Sequence, residues 1–239
     1  MSFQTKTDPF SLTGTGKFLA LVAITDGKSA SVAEAKNENG DVVATTVFGV
    51  MYSPTYEYKV AGSGNVAIPK LGEAKSATMA DGTSVKLIPT GWTLNTSAGG
   101  ETTFSLNAES IPSTLAAICP YQIDCGSVTV GPCQHAKLFF SCAELSGTGC
   151  HLQSANYAGS CTLVRATKDG DTIAVGVTDG RITASLTIIQ TGSTAPTVTA
   201  GSGWEITLPL TCTNPDADYP TWTVTLTKYL AAADSSSNT

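Results

Sequence analysis

Threonine and large apolar side chains alternate, residue by residue, in several short segments of this chain. In the clearest segment, Thr221–Thr227, the side chains of Trp222, Val224 and Leu226 fall on one side and four threonines fall on the other. The segment Ile182–Ile188 has a similar pattern. A period of two residues is that of a β-strand with one face in a core, and β-branched side chains favour the extended backbone. The alternation therefore predicts a protein built mainly from strands.

Turn signals such as Asp81-Gly82 and Asp179-Gly180 separate these segments at intervals of about 8–12 residues. Short strands with such spacing are typical of sandwiches and barrels. We therefore expect an all-β fold of two tandem β-sandwich or barrel domains with little helix. Only Ser29–Lys36 is ambiguous, because its Ala-rich sequence fits either a short helix or the first strand of a hairpin that turns at Asn39-Gly40.

Composition excludes several classes of protein. Of the 239 residues 41% are hydrophobic, which is enough to build a core and excludes general disorder. A net charge of -6 argues against a basic protein that grips nucleic acid. The longest apolar run, Phe18–Ile24, has the length of a strand, so no membrane span is expected. The N-terminal sequence lacks the basic patch and apolar core of a secretory signal, so we expect synthesis in a cytosol.

The two halves of the chain carry similar landmarks in the same order: a Gly-Asp turn, a strand pair, a Gly-Trp strand and a closing alternating strand. They fit either a true duplication or a chance likeness between two strand-rich segments. The interpretation as a duplication gives a first β domain at 1–112, a linker at 113–132, a second β domain at 133–230 and a flexible tail at 231–239. The first set of landmarks comprises Gly40–Ala44, Tyr56–Lys59, Gly91–Leu94 and Phe104–Ala108, and the second comprises Gly170–Ala174, Ile182–Gln190, Gly203–Ile206 and Trp222–Leu226.

The spacing between the turn and the Gly-Trp strand is longer in the first half. We therefore expect a loop insertion at about 61–82, a segment rich in Gly, Ser, Ala and Lys. The second half has its longer loop at Asn214–Pro220, where Asn214, Asp216 and Asp218 alternate like the opening of a calcium loop. The glycine and the distant glutamate of an EF-hand are absent, which favours a polar turn instead.

The cysteines and histidines cluster in one part of the chain. They allow three interpretations: a zinc site, disulfides, or buried free thiols. The sequence contains no C-x2-C pair, and the odd number of cysteines weakens the disulfide interpretation, so buried free thiols are favoured. The zinc interpretation would draw on Cys125, Cys133, His135, Cys142, Cys150 and His151.

The sequence shows no recognisable catalytic arrangement. No G-x-S-x-G elbow occurs, the acidic residues form no pair, and Gly14-x-Gly16 is too short for a loop that binds phosphate. Trp92, Trp204 and Trp222 could form a platform for sugars, although their alternating strands suit core packing better. We therefore predict that the protein is not an enzyme and has no catalytic, cofactor-binding or metal-binding residues and no cofactor.

An acidic, Thr-rich, all-β chain with tandem halves resembles the bacteriophage tail tube proteins in a tandem-duplicated form. The resemblance rests on the Gly40–Ala44 turn and strand, the Tyr56–Lys59 segment and the Phe104–Ala108 strand, together with their second-half counterparts. It implies two tail-tube-like sandwiches whose inner sheets join neighbouring copies into a ring. It also implies a virion protein that is made in the host cytoplasm.

The same resemblance implies partners and a mechanical function. A duplicated chain would form a trimer that acts as a pseudo-hexamer, and its rings would stack into a tube that binds other tail proteins. An acidic lumen would repel phosphates, so that DNA passes through without specific binding. The insertion at 61–82, with Lys70 and Lys75, would form the contact between rings. Two alternatives remain open: a double β-sandwich that binds carbohydrate or a host surface, and another capsid or baseplate protein.

Overall fold

The computed structural model describes residues 8–13, 17–113, 115, 121–131, 135–168, 171–231 and 233–234. The all-β class predicted from the sequence is confirmed, since the described residues form strands and turns without a helix. The strands are β1 Leu19–Thr25, β2 Lys28–Lys36, β3 Val42–Tyr52, β4 Thr55–Val60, β5 Gly64–Ala67, β6 Lys75–Thr78, β7 Ser84–Ser97, β8 Thr103–Pro112, β9 Tyr121–Gln122, β10 Ser127–Val130, β11 Ala143–Ser146, β12 Cys150–Lys168, β13 Asp171–Gln190, β14 Thr197–Ala200, β15 Glu205–Cys212, β16 Thr221–Leu230 and β17 Ala233–Asp234.

One nine-stranded sheet runs through both halves of the chain. Its strands follow the order β1-β4-β8-β7-β12-β13-β16-β15, and β6 pairs with β7 beside this path. The halves meet where β12 pairs antiparallel with β7, from Ser154 opposite Ser97 to Ser160 opposite Gly91. The remaining strands form the two-stranded pairs β5 with β10, β11 with β14, β9 with β17 and β2 with β3. Among the described strands, β1 and β15 are the ends of this path, and β6 pairs with β7 alone.

The strand order of the first half is repeated in the second half. The order β1-β4-β8-β7 corresponds to β12-β13-β16-β15, and in each half a long hairpin leaves the sheet between the first two of these strands. We call the hairpin of β2 and β3 the first arm, and the outer part of β12 and β13, residues 162–178, the second arm. The two halves thus share a strand order, although Gly91-Trp92 lies inside β7 and Gly203-Trp204 precedes β15. The duplication and the two-domain boundaries stay a prediction, and the sheet is continuous across those boundaries.

The two arms also share their strand register. Val32 lies opposite Val47 in the first arm, and Leu163 lies opposite Val177 in the second. Each arm has one register shift at its base and another near its turn, at corresponding positions. Such shifts are local features of the backbone that arise from one extra residue in one strand. Their recurrence makes the two arms equivalent structures.

The ambiguous segment Ser29–Lys36 lies within strand β2, so the hairpin alternative is confirmed. Its turn is built by Asn37, whose side-chain Oδ1 accepts hydrogen bonds from the backbone N–H groups of Asn39 at 3.0 Å and Asp41 at 2.9 Å. Gly40 adopts a positive φ of 87°, which glycine reaches without steric cost. This turn and the β-branched partner strand β3 override the helical tendency of the alanines.

The core covers one face of the large sheet. Sheet residues such as Tyr58, Leu94 and Leu186 point into it, and the chain segments around Leu71 and Ile123 lie over them. Residues 61–82, expected as a projecting loop, belong to this cover: they contain β5 and β6 and bury apolar side chains in the core. The apolar residues between their glycines and lysines explain this packing, because their burial removes apolar surface from water.

Trp92 and Gly159 meet at the junction between the halves, where β7 pairs with β12. Trp92 is fully buried, and its indole lies against the Gly159 backbone so closely that a Cβ on this glycine would come 2.1 Å from the Trp92 Nε1 atom. A residue larger than glycine does not fit beneath the indole. The junction therefore depends on this pair of residues.

We predict that Gly159→Ala lowers the free energy of unfolding by about 1–3 kcal/mol, because the added methyl group must displace a fully packed indole. Urea denaturation followed by tryptophan fluorescence measures this change. The control is Ala158→Ser. Ala158 directly precedes Gly159 and lies on the opposite face of β12, so the free energy of unfolding should change by no more than about 0.5 kcal/mol. Equal stability of Gly159→Ala and the unmodified protein would contradict the packing described for the junction.

Candidate assembly surfaces

The face of the large sheet that points away from the core is lined by hydroxyl and amide side chains. They occupy the alternate positions of the strands whose other residues are buried. This surface, the hydroxyl face, crosses both halves through the pairs formed by β7, β8, β12, β13 and β16. Its members include Thr93, Asn95, Ser105, Asn107, Asn156, Thr183, Ser185, Thr187, Thr223 and Thr225.

Cross-strand hydrogen bonds connect these side chains. The hydroxyl oxygens of Thr93 and Ser105 lie 2.7 Å apart, and those of Thr211 and Thr223 lie 3.1 Å apart. Asn156 on β12 donates its side-chain N–H to the Asn95 carbonyl oxygen on β7, so this network crosses the junction between the halves. Paired polar side chains of this kind stabilise a sheet and hold each other in fixed positions.

The hydroxyl face carries few charges. Glu57, Lys59, Lys86 and Glu109 lie on it in the first half, and Arg181 and Glu205 lie on it in the second half. Three carboxylates and three cations therefore balance on these strands, although the whole chain has a net charge of -6. Lys59 also forms an exposed ion pair of 2.6 Å with Glu101. The surface is hydrophilic but nearly neutral.

The two edge strands of the sheet, β1 and β15, each pair with a neighbour on one side only. Most residues of β15 are exposed, including Ile206 and Leu208. On β1 the register shifts between Leu21 and Ala23, and the intervening Val22 is exposed. An edge strand with exposed apolar residues is a surface on which another strand can pair.

The base of the first arm is held by contacts to the first half. The Tyr52 hydroxyl donates a hydrogen bond of 2.7 Å to Asp81, and the Lys28 ammonium lies 2.8 Å from the same carboxylate. The hydrogen bonds from Lys28 and Tyr52 hold the pKa of Asp81 well below its usual range. In addition, the Tyr52 backbone N–H donates to the Ser110 hydroxyl at 2.7 Å. The arm beyond this base is exposed on both faces.

The described cysteines are not grouped around a common metal position. The five described cysteines are free, and the described residues contain no group of three metal-ligating side chains that could hold an ion. Of the zinc candidates, Cys133 lies outside the described residues. Cys142 is buried beside the Tyr157 hydroxyl, with 3.8 Å between the sulfur and the oxygen. Burial raises the pKa of Cys125 to about 11 and that of Cys161 to about 12, so both are neutral thiols near pH 7.

The other candidate sites are structural as well. Trp92 and Trp204 are buried, and the half-buried Trp222 donates its indole N–H to Gln190 at 2.8 Å, so they form no open platform for sugars. The loop Asn214–Pro220 is an exposed turn between β15 and β16. Within the described residues, no helix is long and apolar enough to cross a membrane.

Comparison with known proteins gives no assignment. No protein-family model matches the chain, and no curated protein matches it. The surfaces described above are therefore the basis for any functional proposal.

We predict that Cys125 and Cys161 react with iodoacetamide at pH 8 about 100-fold more slowly in the folded protein than in urea, because burial keeps them as thiols and the thiolate is the reactive form. Since both pKa values lie above 10, the rate should rise about tenfold per pH unit between pH 8 and 10. Mass spectrometry of the labelled peptides measures each cysteine separately. Cys212, which is partly exposed, is the control and should label readily. Labelling of Cys125 as fast as Cys212 would contradict the buried position.

Proposed function

We propose that the protein is a structural virion protein, the subunit of a bacteriophage tail tube, in which copies join into rings that stack around a lumen for DNA. The observation that supports this most is the junction of the halves, where two topologically equivalent units continue one sheet through the pairing of β7 with β12. A chain that already joins two such units edge to edge contains the pattern of a larger ring.

The free edges repeat the two sides of that junction. In the repeated strand order β15 corresponds to β7, and β1 corresponds to the inner part of β12. Pairing of β15 in one copy with β1 in the next would therefore continue the sheet as the internal junction does. This is a head-to-tail contact, and such contacts form closed rings when the rotation between copies closes. Three copies would supply six units, a trimer that acts as a pseudo-hexamer.

The hydroxyl face is the best candidate for the lining of the lumen. It spans both halves, it is hydrophilic, and its few charges balance. A surface without a surplus of lysine or arginine offers phosphates no ion pairs, so DNA would slide past it without specific binding. The mechanism differs from repulsion by an acidic lumen, because here weak binding would come from neutral side chains that hydrogen-bond to each other and to water.

The remaining parts of the proposal follow from this function. The protein would be made in the host cytoplasm, and its final location would be the virion, where it would bind other tail proteins at the ends of the tube. Residues 61–82 are still proposed to form the contact between rings. Only the exposed residues of this segment, such as Lys70, are available for it. No described feature favours the alternative of a carbohydrate-binding module or of another capsid or baseplate protein.

We predict that the purified protein forms rings or filaments in a concentration-dependent way and that Leu208→Lys abolishes them. A lysine on the edge strand β15 would place a hydrated charge against the approaching β1 strand, as natural edge strands do to prevent pairing. Negative-stain electron microscopy and sedimentation velocity measure the assembly.

The control for this experiment is Tyr219→Lys in the loop between β15 and β16. Tyr219 and Leu208 are almost equally exposed, at 57% and 58%, so both variants remove a similar apolar side chain and add the same charge. Tyr219→Lys should assemble like the unmodified protein. A monomer at high concentration, or equal assembly of Leu208→Lys, would count against the proposed edge pairing.

A further inference from the structure

The two arms differ in how their equivalent side chains are covered. On the second arm Val177 is only 6% exposed, and its partner Leu163 is partly buried against the core. On the first arm the corresponding pair, Val32 and Val47, is 56% and 59% exposed. The arms have the same register and the same shifts, so the difference does not come from their own backbone. The difference in exposure therefore comes from the residues that pack against each arm.

The first half of the chain covers the second arm. Beyond the junction, the outer ends of β7 and β8 extend beneath it, and Ile88, Ile111 and Leu115 form a buried cluster with Val175 of the arm. The Arg165 guanidinium of the arm also lies 2.9 Å from the Glu109 carboxylate of β8. One unit thus provides a seat for the arm of the unit that follows it in the sheet.

We infer that the first arm packs in the same way on the second half of an adjacent copy, through the apolar flank that Val32 and Val47 form. This inference rests on the proposed ring, in which β15 of one copy precedes β1 of the next. In this ring the first arm lies next to the second half of the neighbouring copy. Within one chain, the second arm lies next to the first half in the same way.

The corresponding seat lies at the ends of β15 and β16. The register shift between Pro89 and Gly91 in β7 corresponds to the shift between Ile206 and Leu208 in β15, so Ile88 is equivalent to Glu205 and Ile111 to Tyr229. The positions equivalent to the seat of the second arm are therefore residues 203–205 at the start of β15 and residues 229–231 at the end of β16. Tyr229 is an exposed aromatic residue at this place, on the hydroxyl face opposite Arg181. It offers the apolar surface that an arm with exposed valines requires.

The charged residues at this seat differ from those at the seat of the second arm. Glu34 in the first arm is equivalent to Arg165 in the second arm. Each lies two residues closer to the turn than the equivalent residues Val32 and Leu163. At the seat, Thr227 stands where Glu109 stands in the first half, Glu205 lies opposite Thr227, and Arg181 lies opposite Tyr229. On the second arm, Arg165 is a cation that meets the carboxylate of Glu109.

A copy cannot use its own seat. The first arm leaves the sheet between β1 and β4, whereas the seat lies at β15 and β16 at the opposite edge of the same sheet. Six or seven strand spacings separate them, which is about 30 Å at the usual distance between paired strands. The occupant of the flank is therefore a second copy of this chain, which edge pairing places directly beside it.

The test places the photoreactive residue p-benzoylphenylalanine at position 47 of the full chain and irradiates the assembled protein. Cross-links from position 47 to residues 203–205 or 229–231 of a second copy are the expected result, identified by mass spectrometry with mixed light and heavy copies. Rings that form with cross-links only to other surfaces would overturn the inference while leaving the proposed function intact. Failure of the unmodified protein to form any ring would overturn the proposed function and this inference with it.

A pair of charge variants provides a second measurement. Val47→Asp should lower the yield of rings about tenfold, because an unpaired carboxylate would be buried in the contact. Val43→Asp is the matched control near the arm tip, where the equivalent residue Ile173 of the second arm also stays exposed. Its ring yield should stay within about twofold of the unmodified protein. Equal ring yields for the two variants, whether both are high or both are low, would contradict the specific contact at the flank.

Discussion

The pairing of β7 with β12 is the interaction on which the rest of the structure depends. It joins two units of equal strand order into one sheet, and Trp92 on β7 packs against the bare backbone of Gly159 on β12. Because the backbone hydrogen bonds run through this junction, the apolar side of both units faces one core and the hydroxyl side of both forms one surface. The free edges β1 and β15 exist for the same reason: every other strand of the sheet path has a neighbour on both sides.

Strand periodicity predicted the two faces of the sheet correctly where one face is buried. In Thr221–Thr227, Val224 and Leu226 are buried while Thr223 and Thr225 are on the hydroxyl face. Periodicity did not decide between helix and strand for Ser29–Lys36. Both faces of β2 are exposed, so burial imposes no strict alternation of apolar and polar residues on its sequence. The segment 61–82 was expected as a loop because the spacing between landmarks is longer in the first half and the segment is rich in Gly, Ser, Ala and Lys. Its burial depends on contacts with distant residues such as Ile123, which local sequence does not reveal.

The candidate surfaces were harder to predict than the strands. Alternation shows that a threonine points away from a core, but not which strand lies beside it. The contact between Asn95 and Asn156, for example, joins residues from different halves, and only the sheet order brings them together. Edge strands are likewise a property of the whole topology, since β15 has an ordinary strand sequence. By contrast, the Asn39-Gly40 turn did indicate the first arm, because a turn with positive φ requires particular residues in sequence.

The unequal seats of the two arms suggest an order of events. The seat of the second arm includes the long strand β7 and lies in the same chain, so its contact forms during folding without any cost of association. The seat proposed for the first arm involves shorter strands, since β15 has 8 residues and β7 has 14, and it belongs to another molecule. A smaller contact between separate copies is weak alone and becomes stable when a ring closes, because each copy then holds its neighbours through several contacts at once. In the proposed assembly the protein would stay dispersed at low concentration and assemble cooperatively at high concentration, with its fold complete beforehand.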